Sequence, residues 1–111
     1  MKDKILEYIK LNPKTSYNDL VKIFGLPLEG IFKMLHIDKY NIEDNYIEIY
    51  NNNGYIIYIE YSSGDWIKYE YDINGNTIKD EYSNGEWYKY EYNTNGELIY
   101  SENSYGNKRN Y

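Results

Sequence analysis

The stretch Asn74-Gly75-Asn76-Thr77-Ile78-Lys79-Asp80-Glu81-Tyr82-Ser83-Asn84-Gly85-Glu86-Trp87-Tyr88-Lys89-Tyr90-Glu91-Tyr92-Asn93-Thr94 is 21 residues long, and it decides the fold because its pattern occurs three times. At that spacing stand Asn53-Gly54, Asn74-Gly75 and Asn95-Gly96, and between them Gly64, Gly85 and Gly106. Ile57/Ile78/Ile99, Glu60/Glu81/Glu102, Ser62/Ser83/Ser104, Trp66/Trp87, Lys68/Lys89, Tyr69/Tyr90/Tyr111 and Tyr71/Tyr92 keep the same register. Self-similarity at a fixed period marks an array of supersecondary units. Glycines ten or eleven residues apart supply the positive φ of tight hairpins, and the Tyr, Trp and Ile between them favour short strands. Six strands are expected, with a seventh fragment at Asn107–Tyr111.

Working outward, Lys2 to Leu11 reads as a helix with Ile5, Leu6, Tyr8 and Ile9 on one stripe and Pro13 beyond its end. Ser16-Tyr17-Asn18-Asp19 is a helix start, Tyr17, Leu20, Val21 and Phe24 follow at helical spacing, and Gly25 ends the run. Pro27 opens a third helix carrying Leu28, Ile31, Phe32 and Leu35 as far as His36. Two strands, Asn45–Tyr50 and Tyr55–Tyr61, then lead into the array. The fold class is therefore α+β: three short N-terminal helices plus an antiparallel β-meander of about six strands built from 21-residue repeats. Residues 1–44 form the helical segment and 45–111 the tyrosine-rich acidic sheet.

Three helices followed by a hairpin resemble the winged helix-turn-helix family, with Ser16–Leu35 and its turn Phe24-Gly25-Leu26-Pro27 carrying the resemblance. That family would place the third helix in the major groove, presenting Glu29, Gly30, Lys33, Met34 and His36. Base readout asks for Arg, Lys, Asn or Gln at such positions, and one Lys beside one Glu gives no surplus of positive charge. Tyr71-Asp72-Ile73-Asn74-Gly75 and its counterparts at Tyr50 and Tyr92 resemble the Tyr-Asp repeats of Rhs and teneurin proteins. They are also similar to MORN-variant hairpin repeats of bacterial and phage proteins. The resemblance implies hairpins, and three copies are too few to close an Rhs-type shell.

Charge separates the two parts. Residues 1–45 hold seven Lys against seven Asp and Glu, whereas residues 46–111 hold five Lys or Arg against eleven Asp and Glu. The net charge of −6 thus sits on the array, which repels phosphate backbones and attracts a basic protein surface. No cysteine is present, so disulfides and thiolate metal sites are excluded, and a cytoplasmic location is expected. Near the start there is no apolar run of the length a signal peptide or membrane span needs. Seventeen tyrosines argue against disorder despite a low mean hydropathy.

Catalytic chemistry has little to stand on. His36 is the one histidine, with no Ser-His-Asp or Cys-His arrangement around it. Asp72-Ile73-Asn74-Gly75-Asn76 departs from a calcium loop, because Thr77 occupies the sixth position where that loop needs Gly. Repeated carboxylates read as solvated strand faces. No enzyme, no cofactor and no metal are expected.

The expected function is a non-enzymatic, protein-binding inhibitor: an acidic aromatic sheet covering a basic nucleic-acid-binding surface of a partner. Lys/Asn/Ile/Tyr-rich composition and small size suit a phage or mobile-element gene of the anti-CRISPR or anti-restriction type. Glu70, Asp72, Asp80, Glu81, Glu86 and Glu91 are the expected carboxylates facing the partner, with Trp66 and Trp87 as aromatic anchors. No direct nucleic-acid or membrane contact is expected, and open sheet edges allow a homodimer. A winged-helix regulator with a repeat tail for dimerisation or ligand sensing is the alternative, and carbohydrate binding by exposed aromatics a third reading.

Overall fold

A computed structural model describes all 111 residues. Three helices, α1 (Lys2–Leu11), α2 (Tyr17–Phe24) and α3 (Leu28–Met34), precede eight strands. The strands are β1 (Tyr40–Ile42), β2 (Tyr46–Tyr50), β3 (Ile56–Tyr61), β4 (Trp66–Tyr71), β5 (Thr77–Tyr82), β6 (Trp87–Tyr92), β7 (Leu98–Asn103) and β8 (Lys108–Asn110). All eight form one antiparallel sheet in sequence order. The expectation of about six strands is thus corrected to eight. The sheet also begins at Tyr40, inside the segment assigned to helices.

Helix boundaries follow from their caps. The Ser16 hydroxyl accepts the Asp19 amide at 3.1 Å, and Gly25 ends α2 in the left-handed region at φ 66°. Ile5, Leu20 and Ile31, one from each helix, are fully or almost fully buried against one another. Helix α3 sends Phe32 the other way, into a second cluster with Ile47, Ile49, Tyr58 and Trp66 of the sheet. Helices and sheet therefore share a core at β2–β4.

Strand register assigns the faces. Tyr58 lies opposite Lys68, Lys68 opposite Glu81, and Glu81 opposite Trp87, so these side chains share one face. Ile49, Ile47, Glu60 and Trp66 lie on that same face, which the helices cover at β2–β4. After Trp66 it opens within β4, and it carries the row Glu70, Lys79, Lys89, Glu102 and Lys108. The reverse face carries Tyr69, Asp80 and Tyr88 in one row, with Ile67 and Tyr82 beside them. No residue of that row is buried, because no helix covers it.

Several contacts recur at the 21-residue interval. Trp66 N–H donates to the Ser83 hydroxyl and Trp87 N–H to that of Ser104, each extending a ladder by one bond. Tyr71 OH donates to Ile56 C=O and Tyr92 OH to Thr77 C=O. The register shifts before Tyr50, Tyr71 and Tyr92, leaving Ile57, Ile78 and Ile99 unpaired, the geometry of a β-bulge. Bulges sharpen the twist, and the molecule extends 48 Å along its longest axis.

Candidate functional site: an acidic groove on the open face of the sheet

The helix-covered part of the face shows what its residues can hold. Glu60 on β3 is wholly buried, and its carboxylate accepts Tyr17 N–H at 2.8 Å, Asn18 N–H at 3.0 Å and Tyr58 OH at 2.6 Å, with Asn18 Nδ2 a further donor. The free amides at the start of α2 thus end on a strand carboxylate, an arrangement favoured by the helix dipole. Burial, reinforced by the neighbouring Glu60 charge, pushes the Tyr58 and Tyr17 hydroxyls above their ordinary pKa. Trp66 lies alongside, 3% exposed, with its indole N–H on Lys14 C=O at 3.3 Å. The expectation that Trp66 meets a partner is corrected: it belongs to the helix–sheet core.

Past the helices the face opens into a groove of about 570 Å³. Glu70, Asp72, Glu91 and Glu102 line it with Lys79 and Lys89, and Ile78, Ile99 and Tyr100 supply its apolar lining. Glu70 and Glu91 are exposed, as strand carboxylates pointing to solvent should be. Four carboxylates against two ammonium groups leave the groove negative. Three of the expected site residues, Glu70, Asp72 and Glu91, come together here.

The other expected residues are placed differently. Glu81 shares the face but pairs with Lys79 at 3.8 Å, the one ion pair in the chain. Trp87 is half-buried, with Lys89 Nζ 4.8 Å from its ring centroid; Lys68 stands over Trp66 in the same way at 4.7 Å. Glu86, at the β5–β6 turn, accepts the Tyr105 hydroxyl at 2.5 Å. Asp72 holds its own loop, accepting Asn74 N–H and Asn76 N–H, both at 2.9 Å, and Asn76 Nδ2 at 3.2 Å. These bonds, the Asn76 amide first, draw its pKa below the ordinary carboxylate value, and they occupy the oxygens a calcium ion would need.

Asp80 is on the wrong face for the expected set. Its neighbours Lys79 and Glu81 point to the groove side, so alternation sends Asp80 to the reverse face among the tyrosines. Desolvation there pushes its carboxyl above the usual range, which the hydrogen bond from Tyr90 OH at 3.3 Å only partly offsets. The expected six carboxylates therefore do not form one lattice.

Sequence reasoning missed Glu60 and Glu102. The repeat register itself pointed to both, since Glu60, Glu81 and Glu102 occupy one position of the unit. Helix α3 is seven residues long, with Glu29 and Lys33 exposed as its charged pair. No helix is long and apolar enough to cross a membrane. Neither the protein-family models nor the curated proteins give a match to this chain.

Proposed function

We propose that the chain is a non-enzymatic inhibitor that binds a basic protein through the acidic groove on the helix side of β4–β7. The observation that carries this reading is the convergence of Glu70, Asp72, Glu91 and Glu102 around an apolar floor, on an array that holds the whole net charge of −6. Carboxylates spaced along strands stand in for phosphates, so a Lys/Arg-rich, nucleic-acid-handling surface is the complementary partner. A Lys/Asn/Ile/Tyr-rich composition together with the acidity of the array favours a phage or mobile-element inhibitor of the anti-CRISPR or anti-restriction type. Exposed carboxylates steer the encounter, whereas Ile78, Ile99, Tyr100 and the half-buried Trp87 give the complex its lifetime.

Immobilised protein exposed to a host lysate tests this. The parent chain should retain a basic protein that duplex DNA displaces, and a Glu70→Gln/Glu91→Gln/Glu102→Gln variant should lose it. Retention of the same proteins by both chains would sink the reading.

A further inference from the structure

The reverse face has a different chemistry from the groove. Tyr69 of β4 and Tyr88 of β6 flank Asp80 directly, and Tyr82 lies two residues along the same strand, edge-on to Tyr88 at 5.9 Å between ring centroids. Tyr90 reaches in to donate to Asp80 Oδ2. Asp80 Oδ1 is cut off from solvent and has no hydrogen-bond partner. A carboxylate oxygen cut off from water without a donor of its own is costly in such a setting.

The chain offers this charge no cation. Lys68 and Lys89 serve the tryptophans of the opposite face, and Lys79 pairs with Glu81 there. Among strands β3–β8 the reverse face carries one cation, Arg109 on β8, which stands over the Tyr111 ring at 4.6 Å. Aromatic faces are themselves electron-rich, so rings and carboxylate add to one negative, weakly hydrated platform.

We propose that the tyrosine platform around Asp80 is a second binding site, taking a lysine ammonium or arginine guanidinium from a protein partner. The cation lies over the rings of Tyr69, Tyr82 or Tyr88 while its N–H groups reach the carboxylate. Because Oδ1 is cut off from solvent, binding there asks for a rotamer adjustment among the side chains around Asp80, an ordinary change on binding. The apolar stem of the incoming side chain then packs on the rings. A bound cation also holds Asp80 ionised, as its nearness favours the charged form. This site is separate from the groove and stands whether or not the groove binds a protein.

Butylammonium and ethylguanidinium, which carry the tips of the Lys and Arg side chains, are the probes, with tetramethylammonium as a cation lacking N–H donors. Aromatic NMR resonances of the intact protein report binding ring by ring. Tyr69, Tyr82 and Tyr88 should shift with the two donor cations, and tetramethylammonium should bind more weakly. Asp80→Asn, which keeps the shape, should weaken the donor cations about tenfold and erase their advantage over tetramethylammonium. Glu97→Gln removes the same charge from an exposed turn and should leave the titration as in the parent. Unmoved tyrosine resonances at millimolar amine, or equal shifts in parent and Asp80→Asn, would overturn the proposal.

Discussion

Glu60 shows how one residue position acquires different roles along an array. In the first unit it is buried and holds the start of α2 through two backbone amides, whereas Glu81, 21 residues on, is only partly covered and pairs with Lys79. Glu60→Gln removes the charge from these bonds and should cost about 2 kcal/mol. Glu81→Gln should stay within about 0.5 kcal/mol, as exposed pairs contribute little. Urea unfolding of the two variants measures the contrast. Asp80 runs the opposite way: its raised pKa means that ionisation weighs against the folded state. Asp80→Asn should therefore stabilise the protein at neutral pH, and the gain should shrink as pH falls through the raised pKa, where the parent carboxyl takes up a proton. Unfolding midpoints at neutral and mildly acid pH check the sign. Alternation along Lys79-Asp80-Glu81 was legible in the sequence and already forbade these neighbours from facing one partner. The burial of Glu60 was not legible, because a strand carboxylate reads as solvated until a helix start is placed over it.

At the scale of elements, the helices were readable because each carries its own punctuation: Pro13 after α1, Ser16 and Gly25 around α2, Pro27 before α3. Strand β1 had none. Tyr40-Asn41-Ile42 is bounded by Asp38-Lys39 and Glu43-Asp44, is too short to show a period, and becomes a strand by pairing with β2. Which face the helices would cover was also hidden, since Ile67-Tyr69-Tyr71 reads as the more apolar side, yet Phe32 packs on the face of Trp66 and Tyr58. The turn and ladder devices are testable locally. Ser83→Ala removes the acceptor of the Trp66 amide and should cost about 1 kcal/mol, with faster hydrogen exchange at that amide. Gly75 has φ 86°, and an added Cβ would stand 2.7 Å from the Tyr55 hydroxyl, forcing that ring off Tyr71. Gly96 has φ 80° with open space around it. Both alanine variants should lose about 1 kcal/mol to the left-handed backbone, and Gly75→Ala should lose more in thermal unfolding.

The whole molecule is a long, open sheet with a helical cap on one end of one face, and its tyrosines set its limits in alkali. Tyr17, Tyr58, Tyr69 and Tyr82 all have hydroxyls held above the ordinary value of 10, chiefly by desolvation, and Tyr90 is pushed up to about 12. Below pH 10 these groups are protonated whether the chain is folded or not, so they leave stability unchanged. Above it the unfolded chain ionises first, and stability should fall steadily with rising pH. Tyrosinate absorbance and circular dichroism recorded together should show ionisation tracking loss of the fold. At neutral pH the dominant global property is the acidity of the array, and from it the proposed inhibition follows. The most direct test is the association rate of the captured partner, measured across salt concentrations for the parent and for Glu70→Gln/Glu91→Gln/Glu102→Gln. The account predicts a parent rate that falls steeply with salt, and a slower, flatter profile for the variant, because screening and amidation remove the same steering field. Identical rates and identical salt slopes for the two chains would contradict it.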